Sequence, residues 1–424
     1  MINYSSKDGI ISIEFMGYTK DVVRGVSWIS ILRILTRIIT FVRLAVLGRL
    51  LTPVQFGFFG IASLLLSLLE ILTETGINVF LIQHKGKIKE YINSAWAISI
   101  LRGIILGSVI FLLAKPIASF FEAPGVYNII TLMSVVPFVR GFINPAIVSF
   151  QKELLFRKEF QLRFVIFFID CLVSIVVGFV TKSAISFIYG LIASALLEVV
   201  LSYILIPVWP KLKFEYLKIK YVMSRGWWVT LTGIFSYISD NGDNIIIGKI
   251  IDTSALGIYQ VAYKFSTLPI SEIADVVSKV IFPVYVKFSN DKSRLLSAFL
   301  KVLVTTSIAA CVLGLFIFIF AKEIILLFMG SQWIQAVPVV QVLIFYGIIR
   351  TILGNFTSVF LSVGRQDYVA RMTFFRVIGL TITIVPLVIF FGLVGAGYSV
   401  LISVFFEIPV VIYFSYKVFK IAKE

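Results

Sequence analysis

Long apolar runs, repeated from one end of the chain to the other, are the feature that most limits how this sequence can fold. Of the 424 residues, 59% are hydrophobic and 14% are charged. Many of the runs reach the roughly 20 apolar residues that a helix needs to cross a hydrocarbon layer of about 30 Å. A helix suits this environment because each of its backbone polar groups finds its partner inside the segment. The runs are too long for the strands of a membrane barrel. The sequence therefore predicts an all-α, polytopic membrane protein.

Twelve such runs can be placed, which predicts twelve transmembrane helices. Their approximate limits are 22–47, 56–82, 93–114, 126–150, 162–181, 185–207, 226–248, 257–286, 302–321, 334–361, 369–391 and 394–414. No cleavable signal peptide is expected, because residues 1–21 carry charges of both signs and lack a small-residue cleavage site. Met16, just before the membrane pattern begins, is an alternative start.

Lysine and arginine are distributed unevenly between the two sets of connecting segments. The net charge is +16, and most cations outside the runs fall in one set of alternating loops and in the two tails. The opposite set holds Arg49, Lys115, Lys182, Lys249 and Lys322. Because cytoplasmic loops collect positive charge, both termini are expected in the cytoplasm. This bias explains the net charge without nucleic acid, for which no binding motif is visible.

One stretch occurs twice, at an offset of 200 residues. Residues 48–62 read GRLLTPVQFGFFGIA, and residues 248–262 read GKIIDTSALGIYQVA. Internal repeats of transporters place the binding site between the halves. The repeat predicts a cytoplasmic tail at 1–21, an amino-terminal six-helix lobe at 22–207, an amphipathic linker lying on anionic membrane lipid at 208–225, a carboxy-terminal six-helix lobe at 226–414 and a cytoplasmic tail at 415–424.

The first apolar run carries arginines in the middle of the membrane. At 100° per residue, Ser30, Arg33, Arg37 and Thr40 share one face, and apolar residues occupy the opposite one. Two central arginines cost about 5–7 kcal/mol on the insertion scale, which the apolar residues barely offset. The polar stripe is therefore expected to face water or an anion rather than lipid.

The second run has a matching acidic face, with Ser63, Ser67, Glu70, Glu74 and Asn78 on one side of a helix. Two interpretations stay open. Glu70 and Glu74 neutralise the arginines of the first run, or they respond to H⁺ or Na⁺, since two carboxylates one turn apart repel each other.

The second half carries acids in two further runs. The segment SDNGDN at 239–244 has two interpretations: a polar outer helix end, or a local unwinding in which Asp240 and Asp243 hold a cation. Glu272 and Asp275 share a face with Lys279, which predicts a structural salt bridge. Membrane cations outnumber acids in the first half alone, so an anionic ligand is expected mainly there. No metal-spaced His/Cys cluster and no cofactor is expected.

Two stretches resemble bacterial polysaccharide flippases, the lipid-linked oligosaccharide exporters of the multidrug/oligosaccharidyl-lipid/polysaccharide superfamily. They are RGVSWISILRILTRIITFVRLAVLGRLLTPVQFGFFGIA at 24–62 and DNIIIGKIIDTSALGIYQVAYKFSTLPISEIADVVSKVIFPVYVKF at 243–288. The resemblance implies two pseudo-symmetric six-helix bundles around a central cavity, alternating access and a bacterial cytoplasmic membrane. It implies no enzyme activity, and it implies that other polysaccharide assembly proteins are candidate partners.

The substrate implied by the resemblance is a polyprenyl-pyrophosphate-linked oligosaccharide, moved from the inner to the outer leaflet. Because a planar guanidinium binds two phosphate oxygens at once, the anionic head is assigned to Arg33 and Arg37, and further to Arg43, Arg102 and Arg140. Ion coupling or charge pairing is assigned to Glu70, Glu74, Asp240, Asp243, Glu272 and Asp275.

Two other functions compete with this one. A multidrug or cation antiporter of the same superfamily needs an acidic cavity, and the cationic first run argues against it. A membrane glycosyltransferase or polymerase needs carboxylates in a sizeable outer loop. Glu122 is almost the only acid in the outer loop at 115–125.

Overall fold

The computed structural model describes residues 10–73, 81–82, 89–206, 208–212, 233–234 and 236–420. Every regular element in these ranges is helical and none is a strand, which confirms the all-α prediction. Most of the amphipathic linker, the whole of Glu74 and the side chain of Asp275 lie outside the described residues.

Fourteen helices cover most of the described chain. The earlier ones are α1 (Ile10–Leu50), α2 (Pro53–Leu72), α3 (Lys89–Phe120), α4 (Val126–Met133), α5 (Val135–Arg140), α6 (Ser149–Lys152), α7 (Phe156–Thr181) and α8 (Ile185–Ile204). The later ones are α9 (236–250), α10 (Thr253–Phe288), α11 (Lys292–Ile319), α12 (Ala321–Phe328), α13 (Ala336–Ser362) and α14 (Gln366–Phe419).

Seven of the described helices are long and apolar enough to cross a membrane, or eight if Val126–Arg140 and Pro145–Lys152 form one span bent by 73°. This confirms a polytopic membrane protein, while the count of twelve spans stays a prediction. Two predicted spans, 369–391 and 394–414, lie within α14, whose helical conformation is interrupted at Gly392 (φ 57°, ψ −136°). Glycine reaches this positive φ without the steric cost that a Cβ would bring.

The chain divides into two compact units. The first contains Met1–Leu50, Leu69–Ala114 and Asn128–Thr232, and the second contains Leu51–Leu68, Lys115–Tyr127 and Gly233–Glu424. The second unit thus includes two short pieces from the amino-terminal half of the sequence. The predicted lobes at 22–207 and 226–414 remain a proposal about how the chain is organised.

Close helix packing in the first unit depends on small residues. A Cβ at Gly103 of α3 would lie 2.6 Å from the carbonyl oxygen of Pro137 in α5. A Cβ at Gly190 of α8 would lie 2.5 Å from the carbonyl oxygen of Asp170 in α7. Both distances are too short for any side chain, so these helices cross with their backbones nearly touching, as small residues permit in membrane bundles.

The predicted span at 126–150 is not one straight helix. It is divided into α4, α5, a short 3₁₀ turn at Pro145–Val148 and α6. Pro145 has no N–H to continue the helical hydrogen bonds, and Asn144 caps the new turn by accepting from the Ala146 amide at 3.0 Å. The break leaves Arg140 at the end of α5, where its side chain reaches a cavity.

In the second unit, the repeated stretch forms a reciprocal contact. A Cβ at Gly57 would lie 1.7 Å from the carbonyl oxygen of Thr253, and one at Gly257 would lie 2.1 Å from that of Pro53. Positions 53 and 253, like 57 and 257, are related by the offset of 200. Each copy therefore begins its helix against the glycine of the other copy, which explains why both copies need glycine there.

The local unwinding predicted at 239–244 is wrong, because residues 236–250 form one continuous helix. The Asp243 side chain accepts hydrogen bonds from the Tyr259 hydroxyl at 2.7 Å and from the Asn244 side-chain amide at 2.8 Å. Polar side chains destabilise a helix interior when they compete for its backbone groups. Here a tertiary partner on α10 satisfies the carboxylate and removes much of that competition.

Candidate functional site

A polar cavity of about 390 Å³ lies inside the first unit. Parts of α2, α3, α5, α6, α7 and α8 form its wall. Its charged and amide side chains are Glu70, Arg102, Arg140, Gln151, Glu159, Arg163 and Glu198. Three residues that the sequence singled out as site candidates, Glu70, Arg102 and Arg140, therefore come together here.

Arg140 and Glu70 form an ion pair across the cavity wall. The Arg140 Nη1 atom lies 3.1 Å from Glu70 Oε1, and the two side chains are 38% and 35% exposed. Such exposure leaves both groups within reach of water or a ligand, so the pair is weaker than a fully buried one. An anion entering the cavity can compete with Glu70 for Arg140.

Arg102 is held by uncharged acceptors. Its Nη2 donates to the Glu70 carbonyl oxygen at 2.8 Å, and its Nε donates to the Thr73 hydroxyl at 3.1 Å. These two bonds fix the plane of the guanidinium without neutralising its charge. Because a guanidinium has five N–H donors, the same group can also bind oxygens of a second molecule.

The remaining charged groups carry both signs. Arg163 Nη1 lies 3.0 Å from Glu198 Oε1, and Gln151 Nε2 donates to Glu159 Oε1 at 2.5 Å. Three arginines thus share this wall with three glutamates. The cavity is mixed in charge rather than purely cationic. The sequence analysis did not single out Arg163 or Glu198, although both lie in predicted apolar runs, at 162–181 and 185–207.

Arg33 and Arg37 lie on α1, outside the lining of this cavity. Both side chains are half-buried, and both make contacts with other groups. The face of α1 opposite Arg33 and Arg37 is apolar and exposed, with Ile31, Ile38 and Val42 at 44%, 54% and 50% exposure. The predicted division of α1 into a polar and an apolar face agrees with this pattern of exposure.

Arg43 has a buried partner. Its Nη1 atom lies 2.5 Å from Asp170 Oδ2, with the two side chains 18% and 8% exposed. The Phe187 ring centre lies 5.8 Å from the guanidinium carbon, close enough for a cation–π contact. This pair joins α1 to α7. Its contribution here is structural, and a role of Arg43 in substrate binding stays a prediction.

The second unit holds the other acids that the sequence singled out. Asp243 is 4% exposed and hydrogen-bonded as described above. The Asp240 side chain is 65% exposed and lies 3.8 Å from Arg376 Nη2, which also donates to Ser239 at 2.8 Å. Asp240 and Asp243 are therefore in different surroundings. Glu272 is half-buried with its own contacts.

Two ionic contacts of the second unit were not anticipated. Arg350 Nη1 lies 3.7 Å from Glu407 Oε2, and Glu407 is 2% exposed. Arg376 is 7% exposed beside Asp240. Their positions in apolar runs were visible in the sequence, but no spacing rule joins residues so far apart. Within the part of the chain that the structure describes, no group of three or more His, Cys, Asp or Glu side chains gathers as a metal site would require.

A family of polysaccharide biosynthesis proteins matches residues 46–338, which is more than half of the chain. This protein belongs to the polysaccharide biosynthesis protein family. The match includes Glu70, Arg102, Arg140, Arg163 and Glu198, so the polar cavity lies within the part of the chain that defines the family.

Three curated relatives of this polysaccharide biosynthesis protein share between 22% and 24% identity with it. A Klebsiella pneumoniae membrane protein of the cps region is 23% identical over 90% of this chain and 79% of its own length. The Bacillus subtilis teichuronic acid biosynthesis protein TuaB is 24% identical over 82% and 73%. The Escherichia coli lipopolysaccharide biosynthesis protein WzxC is 22% identical over 91% and 78%.

Solved transporters share the fold. A structure of the lipid II flippase MurJ, in an inward closed conformation, superposes with a TM-score of 0.75 at 14% identity, over 92% of this chain and 88% of the other. An inward-facing multidrug resistance transporter of the MATE family and MOP superfamily gives 0.67 at 15% identity, over 94% and 100%. These likenesses establish the architecture. They do not distinguish a flippase from a drug antiporter, because both kinds of protein have it.

Proposed function

We propose that this polysaccharide biosynthesis protein is a flippase, and that the polar cavity of its first unit binds the anionic head of a polyprenyl-pyrophosphate-linked oligosaccharide. The arrangement of Arg102 and Arg140 carries the proposal. One guanidinium is oriented by neutral acceptors and keeps its charge, and the other is paired with a half-exposed carboxylate that a ligand can displace. Pyrophosphate oxygens suit both, because each guanidinium can bind two oxygens side by side.

Transport then requires the cavity to be exposed to the inner leaflet and to the outer leaflet in turn. The protein would act in a bacterial cytoplasmic membrane with both termini in the cytoplasm, alongside other polysaccharide assembly proteins. Movement of a lipid-linked sugar breaks no covalent bond, so no catalytic group is needed. Arg33 and Arg37, on the half-buried side of α1, are proposed as further contacts to the anionic substrate.

Glu70 offers a way to couple transport to an ion. When a pyrophosphate oxygen takes its place beside Arg140, the carboxylate loses its counter-charge. Binding of H⁺ or Na⁺ then neutralises it. The prediction is that Glu70→Gln transports at a rate that no longer changes with an imposed pH or Na⁺ gradient. An undiminished response to both gradients in this variant would exclude Glu70 as the coupling group.

The experiment that tests the proposal measures flipping in vesicles that contain the full chain and a fluorescent polyprenyl-pyrophosphate oligosaccharide. Arg102→Ala and Arg140→Ala are expected to reduce the initial rate at limiting substrate by about tenfold or more, since a lost charged hydrogen bond costs about 1.5–3 kcal/mol. The matched control is Arg294→Ala, which removes a 71% exposed arginine from an ion pair at the start of α11.

A cation antiporter is the second candidate, and three glutamates on the cavity wall favour it. The same vesicles separate the two functions. Efflux of an organic cation that falls with Glu198→Gln and persists in Arg102→Ala would support the antiporter. Lipid flipping at the control rate in both arginine variants would overturn the binding role of the cavity.

A further inference from the structure

A second cavity in the first unit, of about 320 Å³, is mostly apolar. We call it the aromatic pocket and define it by Trp28, Leu32, Phe156 and Phe160. It is formed where α1 packs against α7. The Trp28 and Phe160 rings have centres 5.0 Å apart at an angle of 48°, a normal tilted aromatic contact.

Stacked phenylalanines continue from this pocket along α7. The ring centres of Phe160 and Phe164 are 5.9 Å apart, and those of Phe164 and Phe168 are 6.1 Å apart. The spacing of four residues keeps these rings on one side of the helix. From Phe156 to Phe168 the helix rises by about 18 Å at 1.5 Å per residue. Phe168 is 46% exposed, so this aromatic row reaches the outer surface of the unit.

The aromatic pocket and the polar cavity share a wall. Gln151 and Glu159 line both of them, and the hydrogen bond between these two side chains forms part of that wall. On one side are guanidinium groups that suit an anion, and on the other are aromatic rings that suit a hydrocarbon chain. With the anionic head proposed above in the polar cavity, a ligand that spans the wall is an amphiphile whose apolar part lies in the aromatic pocket.

We infer that the aromatic pocket holds the first isoprene units of the lipid carrier, with the chain continuing along Phe164 and Phe168. This inference rests on the proposed function, because it places the carrier's pyrophosphate in the polar cavity. The Gln151–Glu159 pair lies at the junction of head and tail, where its amide can donate to a phosphate oxygen. A straight, saturated acyl chain fits less well against tilted rings than a methyl-branched chain with flat double bonds.

Binding to the purified full-length protein in nanodiscs tests this inference. The probes are undecaprenyl pyrophosphate, which has head and tail, and inorganic pyrophosphate, which has the head alone. Trp28→Ala and Phe160→Ala are expected to raise the Kd for undecaprenyl pyrophosphate by about tenfold, since each removes an aromatic ring from the contact. The Kd for inorganic pyrophosphate should change by less than about twofold.

The matched control is Phe179→Ala, on the same helix but 59% exposed, which should leave both Kd values unchanged. Phe160→Leu keeps an apolar side chain and should bind undecaprenyl pyrophosphate more tightly than Phe160→Ala, which excludes misfolding as the cause. Arg140→Ala should weaken both probes.

The outcomes distinguish the inference from the function on which it rests. If wild-type protein binds both probes and the pocket variants bind them equally well, the tail site is wrong and the head site stands. An equal loss for both probes would also overturn the tail site. If phosphatidic acid competes with undecaprenyl pyrophosphate as well as unlabelled carrier does, the preference for an isoprenoid is refuted. Failure of the wild-type protein to bind either probe would refute the proposed function itself.

Discussion

The polar cavity of the first unit and the buried carboxylates of the second unit, Asp243 and Glu407, show the same kinds of side chain in different surroundings. Glu70 in the cavity is 35% exposed and faces Arg140, which is 38% exposed. Glu407 in the second unit is 2% exposed and faces Arg350, which is 39% exposed, so the two pairs differ in the burial of the carboxylate and not of the arginine. Asp243 is 4% exposed, and the Tyr259 that donates to it is fully buried. A carboxylate that a ligand can reach can exchange partners, whereas an enclosed carboxylate keeps its protein partner and contributes to the stability of the fold.

This difference shows why charged residues in apolar helices need burial to be interpreted. A charge in a membrane segment costs free energy wherever it lies, and it persists because something compensates for that cost. In the second unit and in the Arg43–Asp170 pair, the compensation is another protein group. In the polar cavity the partners are partly exposed, so water or an anionic molecule can also compensate for the charge. We therefore expect the first kind of residue to affect stability and the second to affect transport.

Among the substitutions that test this comparison, we expect the largest change in the free energy of unfolding at Glu407. Glu407 is enclosed but Arg350 is 39% exposed, so Glu407→Ala should lower the free energy of unfolding by about 3 kcal/mol, the low end of the range for breaking a buried ion pair. Denaturant unfolding in detergent micelles measures this change. Glu70→Ala, in the half-exposed pair, should cost about 1 kcal/mol or less. Equal losses for the two variants would break the distinction between the regions.

Surface acids of the second unit provide the control for Glu407. Glu323 is exposed near the start of α12, where it makes a small favourable interaction with the helix dipole. Glu323→Ala should therefore change the unfolding free energy by about 1 kcal/mol or less. A loss at Glu323 as large as that at Glu407 would show that the assay responds to any removed carboxylate.

A smaller effect is expected at Asp243, where the partners are neutral donors. Asp243→Ala leaves the Tyr259 hydroxyl buried without its acceptor, which costs about 1–3 kcal/mol. Asp243→Asn keeps an oxygen in place and should cost less than Asp243→Ala. The same unfolding measurement compares the two variants. If Asp243→Asn stops transport while its stability stays near that of the wild type, the residue belongs with ion coupling, as the sequence suggested, and not with the scaffold.

Several features of the fold follow from the sequence because they are local. The helix over 185–204 needs nothing beyond its apolar residues, and the repeat at an offset of 200 can be read directly, although the contact between its two copies at Gly57 and Gly257 cannot. The break near 141–145 was missed, although proline and asparagine mark it. The continuous helix over 236–250 could not be predicted, because the group that satisfies Asp243 lies sixteen residues away on another helix.

The sequence identified several residues of the candidate site one by one, but it did not predict which of them come into contact. Glu70, Arg102 and Arg140 stood out as charges inside apolar runs, and periodicity placed Glu70 on a polar face. Their partners depend on how helices cross. Arg140 meets Glu70 at a separation of 70 residues, and Arg43 meets Asp170 at a separation of 127. No spacing rule within one helix reaches so far.

The smallest expected effect concerns an ion pair that is neither enclosed nor in a cavity. Lys249, in the repeated stretch, lies 2.7 Å from Glu122, and both belong to the second unit. The hydrogen bond and the charge of Lys249 hold the pKa of Glu122 below its ordinary value. A lowered pKa in the folded state stabilises the fold above the ordinary pKa of a glutamate, and this contribution disappears as the pH falls through the lowered value.

Lys249→Met should therefore bring the unfolding midpoint slightly below that of the wild type at neutral pH, and the two midpoints should converge in acid. Because Glu122 is at the surface, added salt should shrink the difference as well. Lys322→Met, which removes an exposed lysine on α12, is the control and should leave the pH dependence unchanged. A pH-independent difference between Lys249→Met and the wild type would mean that Lys249 acts through its cation–π contact with Phe120, whose ring centre is 5.4 Å from Nζ, rather than through Glu122.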